Sequence, residues 1–204
     1  VYERNKEAAD TENRYILTCK NTDKICIFTN KGQMHLLKVL DLPYGKFRDK
    51  GIPIDNLSNY NSSEENFIYI INLGAIIHSR LLFGTKTAML KMVDGSEFDV
   101  AKRTTAATKL NEDDELLIVH AMTGEETVVM QSEKEMFLRI EASTIPEKKK
   151  GAVGVRGMKL GAGDALTAIY LLNAEDSVNV EVKGKEVALN RLRTAGRDTK
   201  GTKR

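Results

Sequence analysis

The 204 residues accommodate one all-β domain of propeller size or two small domains, and a hydrophobic content of 41% is enough for a core and excludes wholesale disorder. Aromatics are only 6% and Trp is absent, so that core must come from Ile, Leu, Val and Met. The net charge of +2 hides an asymmetry: 146–204 hold 13 Lys/Arg against 7 Asp/Glu, and 1–145 hold 18 against 22, so the C-terminal portion is the part suited to a polyanion.

In chain order, Val1 begins mid-pattern without a Met, as expected for a piece of a longer protein, and residues 6–13 read as a helical turn or linker. Cys19 and Cys26 follow; their spacing is not that of a zinc site, and two free thiols fit a reducing cytosol. A first hairpin is expected in KICIFTNKGQMHLLKV at 24–39, where apolar runs flank an Asn-Lys-Gly turn. The pattern recurs in RLLFGTKTAMLKM at 80–92, TVVMQSEKEMFLRI at 127–140 and, as a partial copy, SVNVEVKGKEVAL at 177–189. After each of the first three comes a basic loop, a strand closing on Leu57, Leu110 or Leu160, an acidic or Gly-containing turn, and a very apolar strand at 67–73, 116–122 or 166–172.

A period of about 50 residues with about four strands is that of a propeller blade. No segment carries a 3.6-residue apolar stripe over three turns, which excludes a helical architecture. The chain is therefore read as one all-β domain over 1–204, with blades at roughly 14–73, 74–122 and 123–172. The ends, 1–13 and 173–204, form partial blades, about four in all, and the disc is open or incomplete. The greasiest stretch, 67–83, is broken by Asn72, His78, Ser79 and Arg80 and is no membrane span. No signal peptide opens the chain.

Nothing in the sequence marks catalysis. Gly151, Gly154 and Gly157 lack the strand–glycine–helix setting of a dinucleotide site, and Lys200-Gly201-Thr202 runs in the wrong order for a phosphate loop. His35, His78 and His120 fall in different repeats, and neither a metal set nor a nucleophile–base pair is formed.

Two stretches resemble a known family. FTNKGQMHLLKVLDLP at 28–43 with RDKGIPIDNL at 48–57, and GAVGVRGMKL at 151–160 with Gly163-Asp164, are similar to the C-terminal domain of DNA gyrase and topoisomerase IV A subunits. The resemblance covers nearly the whole chain and implies a β-pinwheel, a disc whose blades exchange strands. It also implies a basic rim that binds and bends duplex DNA, a dimeric parent within an A2B2 complex with the B subunit, and a cytoplasmic, nucleoid-associated setting. The cleavage Tyr, Mg²⁺ and ATP would belong to other domains, so no cofactor and no catalytic residue is expected here. One departure is that 3–12, ERNKEAADTE, lacks the Gln/Arg/Gly-rich box of gyrase, which favours a topoisomerase IV-like or divergent gyrase-like subunit.

The expected DNA-contacting residues recur by unit. Lys38, Lys91 and Arg139 end the outer strands. Lys46, Arg48 and Lys50, then Lys102 and Arg103, then Lys148, Lys149 and Lys150 occupy the loops. Arg156, Lys159, Arg197, Lys200, Lys203 and Arg204 complete the set. Equivalent positions around an axis would form a track for successive phosphates. No aromatic ladder and no recognition helix accompanies them, which leaves reading by charge and shape. A protein-binding propeller is the alternative, since lysines at turns also protect sheet edges.

Overall fold

The structure is a computed structural model and describes residues 2–204. Helix α1 (Tyr2–Glu12) precedes the hairpin β1 (Lys24–Thr29) and β2 (Gln33–Lys38), then β3 (Phe67–Asn72) and the single turn α2 (Leu73–Ile76). The second hairpin is β4 (Arg80–Thr85) and β5 (Met89–Asp94), followed by β6 (Thr104–Ala106) and β7 (Leu116–Met122). The third is β8 (Thr127–Ser132) and β9 (Met136–Glu141), followed by β10 (Val155–Arg156) and β11 (Leu166–Leu172). The last is β12 (Asn179–Val182) and β13 (Lys185–Ala188), followed by β14 (Thr202–Lys203).

The four hairpin loops turn through left-handed backbone at equivalent places: Gly32, Ala88, Glu135, and Lys183 with Gly184. This geometry matches the strand twist. Three four-stranded antiparallel sheets result, ordered β3-β1-β2-β6, β10-β5-β4-β7 and β11-β8-β9-β14, and β12-β13 forms a two-stranded fourth. Each hairpin of the first three sheets is flanked on one side by the long strand of its own unit and on the other by a short strand from the next. Residues 104–106 thus complete the first sheet and 155–156 the second, although in the sequence repeat they follow the hairpins of the second and third blades. This is the strand exchange of an all-β pinwheel. Leu110 and Leu160 lie just beyond the donated strands, whereas Leu57 follows a one-turn 3-10 helix, Ile54–Asn56, and no strand forms there.

Both faces of the first three hairpins are buried, which explains why their strands read as continuous apolar runs, whereas β12 and β13 are largely exposed and alternate. Neighbouring residues on a strand point oppositely. Leu81 and Phe83 enter a core shared with Cys26, Phe28 and Phe98, while Leu82 enters a second core with Leu90, Val128 and Met130. Val129 faces a third, with Leu172, Val182 and Leu189. Phe28, Phe83 and Phe98 form an aromatic knot with centroids 5.1–6.0 Å apart. Burial pushes the Cys26 thiol up to about 12, so it packs as an inert apolar group.

Neighbouring sheets are also latched through polar groups. Leu116 N donates to Asn30 O at 2.9 Å and Leu166 N to Lys86 O at 2.8 Å, joining the starts of β7 and β11 to the hairpin turn of the preceding unit. Glu115 receives Lys31 from the first turn and Lys86 from its own, both at 2.6 Å, and these two bonds hold its carboxyl down at about 2. The turn lysines Lys31 and Lys86 are therefore engaged in joining sheets.

Candidate nucleic-acid interface

The long strands β3, β7 and β11 neighbour one another at one end of the sheets, with Tyr69 and His120 ring centroids 5.3 Å apart. The donated strands β6, β10 and β14 lie at the opposite, outer end. Each is reached through a loop, 99–103, 146–154 or 193–201, and these loops carry seven of the basic residues singled out in the sequence: Lys102, Arg103, Lys148, Lys149, Lys150, Arg197 and Lys200.

The loops are pinned by one recurring device. The fourth residue of each outer hairpin strand, Leu36, Met92 or Arg139, exchanges backbone hydrogen bonds with the incoming loop. Leu36 N donates to Arg103 O at 2.8 Å. Met92 N donates to Pro146 O at 3.0 Å, and Lys148 N to Met92 O at 2.8 Å. Ala195 N donates to Arg139 O at 2.8 Å.

Side chains anchored this way project outward. Lys102, Arg103, Lys148, Lys149, Arg156, Lys159, Lys200, Lys203 and Arg204 are exposed, and Lys150 and Arg197 are half-buried. Lys149 lies 3.5 Å from Glu97, and Arg156 pairs with Asp198 at 2.5 Å. Among the described residues, Lys102, Arg103, Lys148, Lys159, Lys200, Lys203 and Arg204 form no ion pair. Lys38, Lys46, Arg48 and Lys50 of the first unit are exposed and, among the same residues, also unpaired. Arg191 and Arg193, exposed in the fourth unit's loop, belong with this set. The sequence reading missed them, although their place just after the last hairpin was the available signal.

The expected equivalence of Lys38, Lys91 and Arg139 does not hold. Counted from the hairpin turns, they are the sixth, third and fourth residues of β2, β5 and β9. The register aligns Lys91 with His35 and Leu138, all facing inward. Lys91 is 1% exposed and is excluded as a phosphate contact. Its ammonium lies 5.5 Å from the Phe83 ring centre and donates to Ala152 O at 2.6 Å, Lys150 O at 2.8 Å and Lys149 O at 3.2 Å. Burial pulls it down to about 8, against the opposing influence of Glu97. Glu97 adds a second hold, since its carboxylate accepts Lys150 N at 3.0 Å. Lys91 therefore shapes the loop that presents Lys148–Lys150. Arg139 behaves similarly, binding Thr127 Oγ1 at 2.9 Å and the carbonyls of Asn190 at 2.7 Å and Leu192 at 3.3 Å.

His35 serves the first sheet. Its Nε2 meets Glu65 Oε1 at 2.6 Å and its Nδ1 meets Thr104 Oγ1 at 2.9 Å, so a buried pair grips the donated strand β6. Close backbone approach seats β10: Gly154 has φ +106°, and a Cβ there would stand 2.7 Å from Leu90 O.

Residues 79–121 and 126–173 match the family described as DNA gyrase C-terminal domain, beta-propeller. Similarity extends further along the chain: the A subunit of DNA gyrase from Lawsonia intracellularis is 29% identical over 193 residues, 91% of this chain and 23% of that protein. Its counterpart from Staphylococcus epidermidis is 29% identical over 196 residues, 92% of this chain and 22% of that protein. The chain thus spans less than a quarter of the length of these relatives. In fold it is similar to the C-terminal domain of DNA topoisomerase IV, with a TM-score of 0.83 at 22% identity over 98% of this chain and 66% of that one. The E. coli ParC C-terminal domain gives 0.77 at 13% identity, covering 92% and 79%. The resemblance read from the two motif stretches, to the C-terminal domain of these A subunits, is borne out.

Proposed function

We propose that this domain binds and bends double-stranded DNA along the outer edges of its sheets, without reading sequence, as the non-catalytic C-terminal region of a type IIA topoisomerase A subunit. The observation that carries the reading is the repeated placement of unpaired basic side chains on the loops leading to β6, β10 and β14. Each loop is fixed to the sheet before it, so the charges are held at successive outer edges. Such an array neutralises neighbouring phosphates at little ordering cost and releases their counterions. Smooth bending of a 20–30 bp site costs on the order of 1–6 kcal/mol, which several phosphate contacts offset.

In the parent protein the domain would present the bent duplex for strand passage by the catalytic core and B subunit of an A2B2 complex, in the cytoplasm at the nucleoid. ATP and Mg²⁺ would act through other domains. The test is binding to duplexes of about 40 bp and unrelated sequence, by electrophoretic retardation at several salt concentrations. Equal affinity across sequences, with steep weakening in salt, is the expected result. Absence of binding at low salt would overturn it in favour of a protein-docking disc.

A further inference from the structure

The rim segments of successive units meet. Residues 156–159, at the end of β10 and just beyond it, lie against 197–199 of the next loop. Asp198 N donates to Gly157 O at 2.7 Å, Lys159 N to Thr199 O at 2.9 Å and Arg197 Nη1 to Arg156 O at 2.8 Å. The contact gathers Arg156, Lys159 and Arg197, from two loops, around one acid. Asp198 meets Arg156 through both carboxylate oxygens: Arg156 Nε lies 2.5 Å from Oδ1, and Nη2 donates to Oδ2 at 3.1 Å. The Arg156 bond first, then the charges of Arg197 and Lys159, hold the Asp198 carboxyl below the usual carboxylate range. The fold does not require this pair. By strand register, Ala106 and Gly151 stand at the equivalent places one unit earlier. The segments meet there too, with Thr108 Oγ1 donating to Ala152 O at 3.4 Å, and neither Ala106 nor Gly151 carries a charge. The backbone bonds of the later junction do not involve the carboxylate.

An arginine fork donates to two oxygens of a carboxylate or of a phosphate alike. We infer that Asp198 is an internal stand-in for a DNA phosphate: it occupies Arg156 in the free domain, and duplex DNA following the rim displaces it. Asp198 thereby sets how tightly this stretch of the track holds DNA, by withholding one cation and by placing one negative charge where phosphates pass. The pair is open to solvent, with side-chain exposures of 56% for Arg156 and 39% for Asp198. An ion pair so exposed is weak, so a phosphate can replace the carboxylate. The inference rests on the DNA-binding reading above.

The experiment measures binding to a duplex of about 40 bp across a salt series for the wild type, for Asp198→Asn, and for Asp198→Asn combined with Arg156→Gln. Asn adopts the left-handed backbone of residue 198 (φ +61°) more readily than most residues. Asp198→Gly is the second variant, since glycine accepts that backbone and stands at the equivalent place one unit earlier. Unchanged thermal unfolding checks the fold of each. Removing the carboxylate is expected to tighten binding about threefold to tenfold at low salt and to steepen the slope of log affinity against log salt by about 1, as Arg156 joins the phosphates. Adding Arg156→Gln should return the slope to the wild-type value. Binding by Asp198→Asn and Asp198→Gly no tighter than that of the wild type would overturn the inference and assign the pair to holding the loop. A gain that survives Arg156→Gln in full would also overturn it, because the gain would then come from net charge and not from a released arginine. Absence of any DNA binding by the wild type at low salt would instead overturn the function on which the inference rests.

Discussion

The loops 39–53 and 146–154 follow equivalent hairpins and each carries three clustered cations, yet they are held in opposite ways. The second is fastened to the neighbouring sheet by the Lys91 ammonium, by Glu97, by the backbone of Met92 and by the close seat of Gly154 against Leu90. The first is shaped by its own Asp49 turn and leaves its apolar residues in water. Loop 146–154 is thus a rigid cationic ridge because the sheet of the preceding unit receives it, and among the described residues no sheet stands before the first unit to receive 39–53. Rigidity here comes from the docking partner, and propensity within the loop contributes little.

The contrast breaks most sharply at Gly154. Gly154→Val places a β-branched side chain at φ +106° and against Leu90 O, which should cost on the order of 3 kcal/mol and release the donated strand. Chemical denaturation would measure it, and amide exchange should quicken at 155–156. Lys91→Met is next. It leaves three carbonyls without their donor and should cost about 2 kcal/mol, with faster exchange at 148–152 and weaker DNA binding although no phosphate contact is removed.

Glu115→Gln probes the latch between sheets and is smaller, about 1 kcal/mol at pH 7, because both lysine partners are about half exposed. Its pH dependence has a definite sign. The folded carboxyl titrates at about 2 and the unfolded one near 4.5, so the stabilisation is full above 4.5 and is lost as the pH falls toward 2. The difference in Tm between wild type and variant should shrink over that window. Replacing Lys46, Arg48 and Lys50 together by Ala should change stability by no more than about 0.5 kcal/mol, since these side chains hold no ion-pair partner among the described residues, while lowering DNA affinity.

Much of this was legible in the sequence. The repeat, the four hairpins and the apolar strands at 67–72, 116–122 and 166–172 could be read because the first three hairpins are buried on both faces and the fourth keeps the same turn chemistry. The donated strands were not assigned to their sheets, because two or three residues such as Val155–Arg156 carry no pattern that names a partner. Lys91 was misread because placing it at the end of its outer strand aligned it with Lys38 and Arg139, whereas counting from the turn aligns it with buried His35. A lysine that caps carbonyls and one that meets phosphate look alike in one dimension; burial separates them. The loop cations themselves were found because they recur after every hairpin, and Arg191 and Arg193 were missed only where the repeat was partial.

The central claim is that the anchored loops form a phosphate-binding track, and its most direct test is the salt dependence of binding to a duplex of about 40 bp. The comparison is between wild type and a variant with Lys148, Lys149 and Lys150 changed to Ala. The account predicts a steep linear fall of log affinity with log salt, and a slope shallower by about 1 for each phosphate that the variant no longer neutralises. Identical slopes for the two proteins would contradict it, because the outer-edge lysines would then lie away from the DNA.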